Sequence, residues 1–234
     1  MRFVAIIPAR YASTRFPAKP LANLCGKPVI QRVYEQVREV LDDVFVATDD
    51  ERIFKAVESF GGRAIMTRAD HKSGTDRCFE AYNKTNVKAD VVINIQGDEP
   101  FIQASQIRAL QSCFDDETTQ IATLVKPFTV SDDNRALYFS RSVIPFLRGI
   151  PKEEWLARHT FYKHIGLYAY RVDTLAFITQ LPQSTLEKVE SLEQLRWLDN
   201  GCVIRVRQTD VETIGIDTPE DLARAEAFLR NKKE

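Results

Sequence analysis

Short apolar runs alternate with amphipathic stretches along the first half of the chain. Phe3 to Ile7 predicts a buried strand, and Ile30, Val33, Val37 and Val40 fall at the spacing of one helix face, predicting a helix from about Val29 to Val40. Val44 to Ala47 predicts a second strand, Glu51 to Phe60 a helix stopped by Gly61-Gly62, Ala64 to Met66 a strand, and Gly74 to Asn83 a helix. Val91 to Ile95 is the clearest central strand, followed by a helix around Ser105 to Phe114 and a strand over Ile121 to Val125. This alternation suits crossover helices covering both faces of a largely parallel sheet, an α/β fold. The pattern then changes. Leu137 to Pro145, Gly166 to Arg171 and Val203 to Arg207 predict strands with less helix between them, as antiparallel additions or a substrate subdomain. A last strand, Glu212 to Ile216, runs into Thr218-Pro219-Glu220-Asp221, with Thr218 as N-cap, Pro219 in the first helical position and Asp221 closing a capping box. No internal repeat, low-complexity tract or linker divides the chain, so a single domain is expected.

Composition narrows the class. The 234 residues are 44% hydrophobic and 28% charged, which disfavours disordered, collagen-like and membrane classes. A net charge of −1 argues against a whole-surface nucleic-acid binder or membrane-surface binder, so any anion site must be local. The opening apolar run is too short for a signal peptide and no stretch approaches the ~18 residues that span a bilayer, so no membrane insertion and a cytoplasmic location are expected. Cys25, Cys78, Cys113 and Cys202 form no CxxC pair and are expected to be buried reduced thiols.

Charge is not evenly spread. Between Met1 and Tyr34 stand Arg2, Arg10, Arg15, Lys19, Lys27 and Arg32 with no carboxylate. Arg10, Arg15 and Lys19 lie in the loop Pro8 to Pro20 after the first strand, where α/β folds place ligands. Prolines 8, 17 and 20 stiffen that loop, so its cations and N–H groups can be held for a polyphosphate. The loop is neither a GxxxxGK[ST] nor a GxGxxG motif, and a merely solvated basic loop is the competing reading.

Two carboxylates complete the pattern. Val91 to Ile95 ends in Gln96-Gly97-Asp98-Glu99-Pro100, a sequence that also suits an ordinary turn. Asp217 follows the last strand, and because Thr218 supplies the cap it is left free to bind something, although it also sits favourably near a helix N-terminus. Both beside a cationic loop would suit Mg²⁺, which takes oxygen ligands and bridges to phosphates.

The segments IIPARYASTRFPAKPLA, ATDDERI, ADHKSGTDRC, INIQGDEPFI, ALYFSRSVIPF, YKHIGLYAYR, SLEQLRWLDNG and GIDTPEDL, in this order over nearly the whole chain, resemble the 3-deoxy-manno-octulosonate (Kdo) cytidylyltransferase, or CMP-Kdo synthetase, family. The resemblance implies a three-layer nucleotide-diphosphosugar-transferase-like (Rossmann-like) α/β fold with a mostly parallel mixed central sheet, and a homodimer with a dimerisation and sugar-binding subregion at about 134–210. It implies CMP transfer from CTP to the anomeric 2-hydroxyl of Kdo, with pyrophosphate release, for lipopolysaccharide assembly; the alternative acceptors are 8-amino-Kdo and sialic acid. By this likeness Arg10, Ser13, Arg15 and Lys19 bind the nucleotide, with Ser73, Arg77 and Gln96 beside it, and Asp98 and Asp217 hold Mg²⁺, two ions being expected with one arriving on CTP. Asp98, Asp217, Lys19 and Arg10 are the catalytic set. Gln96, Arg141, His164, Tyr168, Glu193 and Gln194 match sugar positions. For these the residues alone leave alternatives: a structural His164, a core Tyr168, an Arg141 paired with a surface acid, and a solvated helix face for Glu193 and Gln194.

Two departures stand out. The family usually has glycine where this chain has Ala18, and a positive φ there would cost on the order of 1 kcal/mol. Only Thr129 to Arg135 fills a space where the family carries a longer segment. A natural deletion, engineering or an omitted mobile loop would explain it; the last is expected, and a Cα–Cα step well above 3.8 Å within Ser131 to Arg135 would mark it.

Overall fold

Nine strands and nine α-helices are formed by the residues that the computed structural model describes, which are 1–12, 15–126, 134–211 and 214–231. They fall into two units, Met1–Arg108 with Val211–Glu234, and Ala109–Asp210.

In the first unit the elements are β1 (Phe3–Ala9), the short hairpin β2 (Asn23–Leu24) and β3 (Lys27–Pro28), α1 (Val29–Arg38), β4 (Val44–Thr48), α2 (Glu51–Ser59), β5 (Ala64–Met66), α3 (Gly74–Lys84) and β6 (Val91–Asn94). The strands run parallel in the order β5-β4-β1-β6. Val4 to Ile7 and Val91 to Ile93 are fully buried, as continuous apolar strands covered on both faces should be. Helix starts follow the local chemistry: the Asp50 carboxylate accepts the Arg52 N–H to cap α2, and the Ser73 hydroxyl accepts the Asp76 N–H to cap α3. Gly61, at φ 78°, ends α2 where predicted.

Helix α4 (Ala104–Ser112) leads into the second unit, which holds β7 (Ile121–Lys126), α5 (Trp155–Arg158), β8 (Lys163–Arg171), α6 (Val172–Ile178), α7 (Thr185–Glu190), α8 (Gln194–Asp199) and β9 (Ile204–Gln208). Here β7 pairs antiparallel with β8 and parallel with β9, the antiparallel addition that the sequence suggested. Trp197 of α8 meets the stacked rings of Tyr168 and Tyr170 edge-on, closing this unit's core.

The chain finishes with α9 (Pro219–Asn231), back in the first unit. Its Ala225, together with Ile216, Leu24 and Val29, forms a buried cluster against which Phe16, Phe101, Leu222 and Leu229 pack. Burying a side chain such as Ile216 contributes roughly 2–3 kcal/mol, so this cluster fastens the carboxyl-terminal segment to the opening loop.

Three expectations are corrected. Leu137 to Pro145 forms no strand. Its polar groups are taken locally instead: Arg141 N–H donates to the Glu190 carboxylate and Ser142 N–H to the Ser140 hydroxyl, which competes with ladder formation. Ile214 to Ile216 is likewise no strand; Ile216 N–H donates to the Asp98 carbonyl at 2.9 Å, and Glu212 and Thr213 lie outside the described residues. Cys78, Cys113 and Cys202 are buried, but Cys25 is exposed in the tight β2–β3 turn at φ 48°. The short segment of residues 129–135 lies outside the described residues up to position 133, and Ser13 lies outside them too.

Candidate active site

The first unit gathers the cationic loop and the two carboxylates. β1 ends at Ala9 and delivers Arg10 and Tyr11, and the Tyr11 carbonyl accepts the Ala18 N–H at 3.0 Å. Ala18 has φ 58° and ψ 17°, the left-handed conformation in which its β-carbon is strained, and Lys19 follows it. The Lys19 ammonium donates to Asp98 Oδ2 at 2.5 Å and to Asp217 Oδ1 at 3.0 Å, and Arg15 Nη1 lies 3.1 Å from Asp217 Oδ2. Burial pulls the Lys19 pKa down, but the two carboxylates outweigh it and the net shift is upward, so the lysine is charged.

Each carboxylate has an identifiable support. β6 lies beside β1 with Ile6 opposite Asn94, which carries the Gln96-Gly97-Asp98 turn past Pro8. A β-carbon at Gly97 would stand 2.8 Å from the Pro8 carbonyl oxygen, so only glycine allows this approach. Asp217 is set by the helix start after it: the Asp221 carboxylate accepts the N–H groups of Asp217 and Thr218, and Asp221 N–H returns to the Thr218 hydroxyl. Arg224 first, then the Asp217 amide, holds the Asp221 carboxyl down at about 2.

The two carboxylate oxygens contact one nitrogen at 2.5 and 3.0 Å, so they are at most 5.5 Å apart. Two oxygens on one Mg²⁺ stand up to about 4.2 Å apart, so a modest side-chain rotation lets both hold a hard cation. Among the described residues no group of three or more His, Cys, Asp or Glu could hold a metal ion.

Arg10 is half-buried; burial and then the neighbouring Arg77 charge lower its pKa, while Asp49 and Asp76 oppose the shift. Arg77 itself is wholly buried, donating to Thr67 Oγ1 at 2.5 Å and Asp49 Oδ2 at 2.9 Å. Arg77 is thus a buried charge within electrostatic reach of Arg10, and the Ser73 hydroxyl is committed to capping α3. Gln96 sits half-buried just past β6, its amide 3.4 Å from Asn94 Oδ1. The sequence reading missed Arg52, whose guanidinium lies 3.3 Å from the centroid of the Tyr11 ring. Its local sequence, an ordinary Asp50-Glu51-Arg52 helix start, carries no signal of that contact.

In the second unit a cleft of about 1110 Å³ is lined by Arg141, His164 and Gln194 with Lys152, Lys163, Tyr162 and several apolar side chains. Arg141 is not on a strand: its guanidinium donates to the carbonyls of Glu190 and Ser191 at the end of α7. His164 Nε2 is 3.3 Å from Thr123 Oγ1, whose own proton is directed to the Leu167 carbonyl at 2.7 Å. His164 therefore donates from Nε2, leaving Nδ1 as an acceptor, and burial pushes its pKa down to about 4. Tyr168 and Glu193 are not among the lining residues. The buried Tyr168 phenol is pushed upward by burial and then by Glu193, while Glu193 accepts from Arg196 at 2.8 Å.

With this geometry in place, the chain can be compared with known proteins. The family described as Cytidylyltransferase matches residues 4–214. The 3-deoxy-manno-octulosonate cytidylyltransferase of Phocaeicola vulgatus is 64% identical over 250 aligned residues, covering all of this chain and 99% of the relative. That of Bacteroides thetaiotaomicron is also 64% identical, over 99% of this chain and all of the relative. Because 250 aligned positions exceed the 234 residues of this chain, about 16 positions of the first relative have no counterpart here. A solved structure of CMP:2-keto-3-deoxy-manno-octonic acid synthetase complexed with CTP superposes with a TM-score of 0.92 at 42% identity, over 99% of this chain and 100% of the other. The 4-diphosphocytidyl-2C-methyl-D-erythritol synthase of Anaerococcus prevotii shares the fold alone, with a TM-score of 0.66 at 15% identity over 98% of this chain and 99% of the other. The expected α/β fold agrees with these likenesses: β1 with β4, β1 with β6, β4 with β5 and β7 with β9 pair parallel, and β7 with β8 antiparallel. The chain belongs to the 3-deoxy-manno-octulosonate cytidylyltransferase family.

Proposed function

We propose that this protein transfers CMP from CTP to the anomeric 2-hydroxyl of Kdo, releasing pyrophosphate. The observation that carries this reading is the Lys19 ammonium held between Asp98 and Asp217 within a chain 64% identical to named Kdo cytidylyltransferases. Arg10, Arg15 and Lys19 bind the triphosphate and stabilise the charge that builds on the departing pyrophosphate. In-line attack of the hydroxyl oxygen on the α-phosphorus needs alignment and charge neutralisation and no covalent enzyme intermediate. Asp98 and Asp217 would hold Mg²⁺, with a second ion expected to arrive on the nucleotide. When bound, the metal supplies Lewis acidity toward the hydroxyl and the phosphate.

Arg141, Lys152 and Lys163 give the cleft of the second unit the positive character that a sugar carboxylate requires, and His164 Nδ1 and Gln194 offer partners for hydroxyls. Leu137, Val143, Phe146 and Leu156 of the same unit are 60% or more exposed, and a second copy of the chain would cover them in a homodimer. No helix among the described residues is long and apolar enough to cross a membrane, and a cytoplasmic place belongs to the same proposal. Pyrophosphate release measured with CTP, Mg²⁺ and, side by side, Kdo, 8-amino-Kdo and sialic acid tests the reading. Kdo should give the highest kcat/KM; release with none of the three would refute it, and preference for another acid would move the assignment to that acid.

A further inference from the structure

We infer that Arg52 is a positioning residue that clamps the Tyr11 ring and thereby holds the closing contact of the cationic loop, Tyr11 carbonyl to Ala18 N–H, in place for the nucleotide. The inference rests on the cytidylyltransferase reading and adds to it a residue outside the phosphate-binding set. Tyr11 stands at the neck of that loop: it follows Arg10, and its carbonyl accepts the Ala18 N–H that closes the loop just before Lys19. Its ring lies under the Arg52 guanidinium at 3.3 Å from the centroid, close enough for a cation–π contact. Arg52 is fixed from its other side, since Nε and Nη2 donate to the two Asp50 oxygens at 2.9 and 2.6 Å in a two-point fork. Asp50 is fixed in turn as the N-cap of α2, accepting the Arg52 N–H.

The neighbouring acid, Asp49, is occupied by the buried Arg77 at 2.9 Å, which leaves Asp50 to hold Arg52. Without the clamp only the Ala18 N–H to Tyr11 carbonyl bond would close the neck of the loop, and nucleotide binding would have to order it. Arg52 itself is more than half exposed and contributes little to the core.

The test uses the full-length protein with Arg52→Ala, Arg52→Lys, Tyr11→Ala and the Arg52→Ala/Tyr11→Ala pair, reading CTP binding by calorimetry and KM against kcat in the pyrophosphate assay. An exposed cation–π contact predicts a KM for CTP raised about three- to fivefold in either alanine variant, with kcat at saturating CTP within about twofold. The double variant should show no more than the larger single effect, because the two residues act as one clamp. Arg52→Lys should recover part of the loss, since it keeps a cation but not the fork. Unchanged KM in Arg52→Ala, or effects that multiply in the double variant, overturns the clamp while the cytidylyltransferase reading stands. A wild-type chain that binds no CTP overturns both.

Discussion

Ala18 offers a test of backbone strain in which replacement should improve the protein. Its φ of 58° places the β-carbon in the left-handed region, at a cost of roughly 1–2 kcal/mol for an L-residue. Ala18→Gly removes that cost but gives the unfolded chain more freedom, which takes back about 0.4–1 kcal/mol. The balance favours glycine by about 0.5–1 kcal/mol, and in a chain of this size 1 kcal/mol moves Tm by about 2–4 °C. Thermal and urea unfolding of the two proteins side by side should therefore show Tm higher by about 1–4 °C with an unchanged m-value. Because the Ala18 N–H still bonds Tyr11, CTP affinity should be held or slightly improved. A variant less stable than the parent would show that the left-handed conformation is not strained in context and would refute the reasoning.

Asp98→Asn or Asp217→Asn should lower turnover by two or more orders of magnitude with circular dichroism unchanged, since Lys19 keeps its other acidic partner. Near-normal turnover would remove that residue from the mechanism. Gly97→Ala must displace the Pro8 carbonyl from 2.8 Å and should destabilise by about 1–3 kcal/mol in urea unfolding while raising KM for CTP; a neutral effect would show that the turn is loose. His164 has a folded pKa near 4, beneath an unfolded value of about 6.5, so it stabilises the fold fully above pH 6.5 and that contribution is lost as pH falls toward 4. His164→Gln should therefore lose about 2–3 kcal/mol less stability than the parent between pH 7 and 4.5, and parallel pH profiles would contradict the burial.

The parallel half of the fold was legible because each of its segments states its own conformation. β1, β4 and β6 are short, mostly apolar runs, and the segments that form α1, α2 and α3 stand between them at the expected places, α2 with its stop at Gly61. Leu137 to Pro145 misled because alternation of apolar and polar residues says nothing about whether a neighbouring strand exists, and here Glu190, fifty positions away, supplies the bonding. The Lys19, Asp98 and Asp217 group could be suspected from strand-end carboxylates and loop cations. Its convergence depended on the Ile216 to Asp98 backbone bond and the cluster under α9, both long-range contacts without a local signature. The sequence also pointed to Ala18 correctly, since the family resemblance marked a glycine position and the observed φ explains why. Arg52 was invisible because a cation on an ordinary helix start reveals no aromatic partner forty residues earlier.

Lys19 has two possible tasks, and they predict opposite effects on metal affinity. In the free protein Arg15 and Lys19 balance Asp98 and Asp217, so the charges at this site neutralise one another. A triphosphate carrying a divalent ion brings groups for all four: its oxygens take the cations and its metal takes the carboxylates. If the ammonium and the metal compete for the same oxygens, then Lys19→Met should weaken CTP binding and yet tighten Mn²⁺ binding to the nucleotide-free protein by about tenfold, or 1.4 kcal/mol. The two carboxylates, at most 5.5 Å apart, would then face each other without their shared counter-charge, a state that a divalent ion relieves. Calorimetric or magnetic-resonance titration with Mn²⁺ alone reads this directly. Equal Mn²⁺ affinity in parent and variant would mean that the lysine does not stand where a metal binds, and the shared use of Asp98 and Asp217 would have to be abandoned.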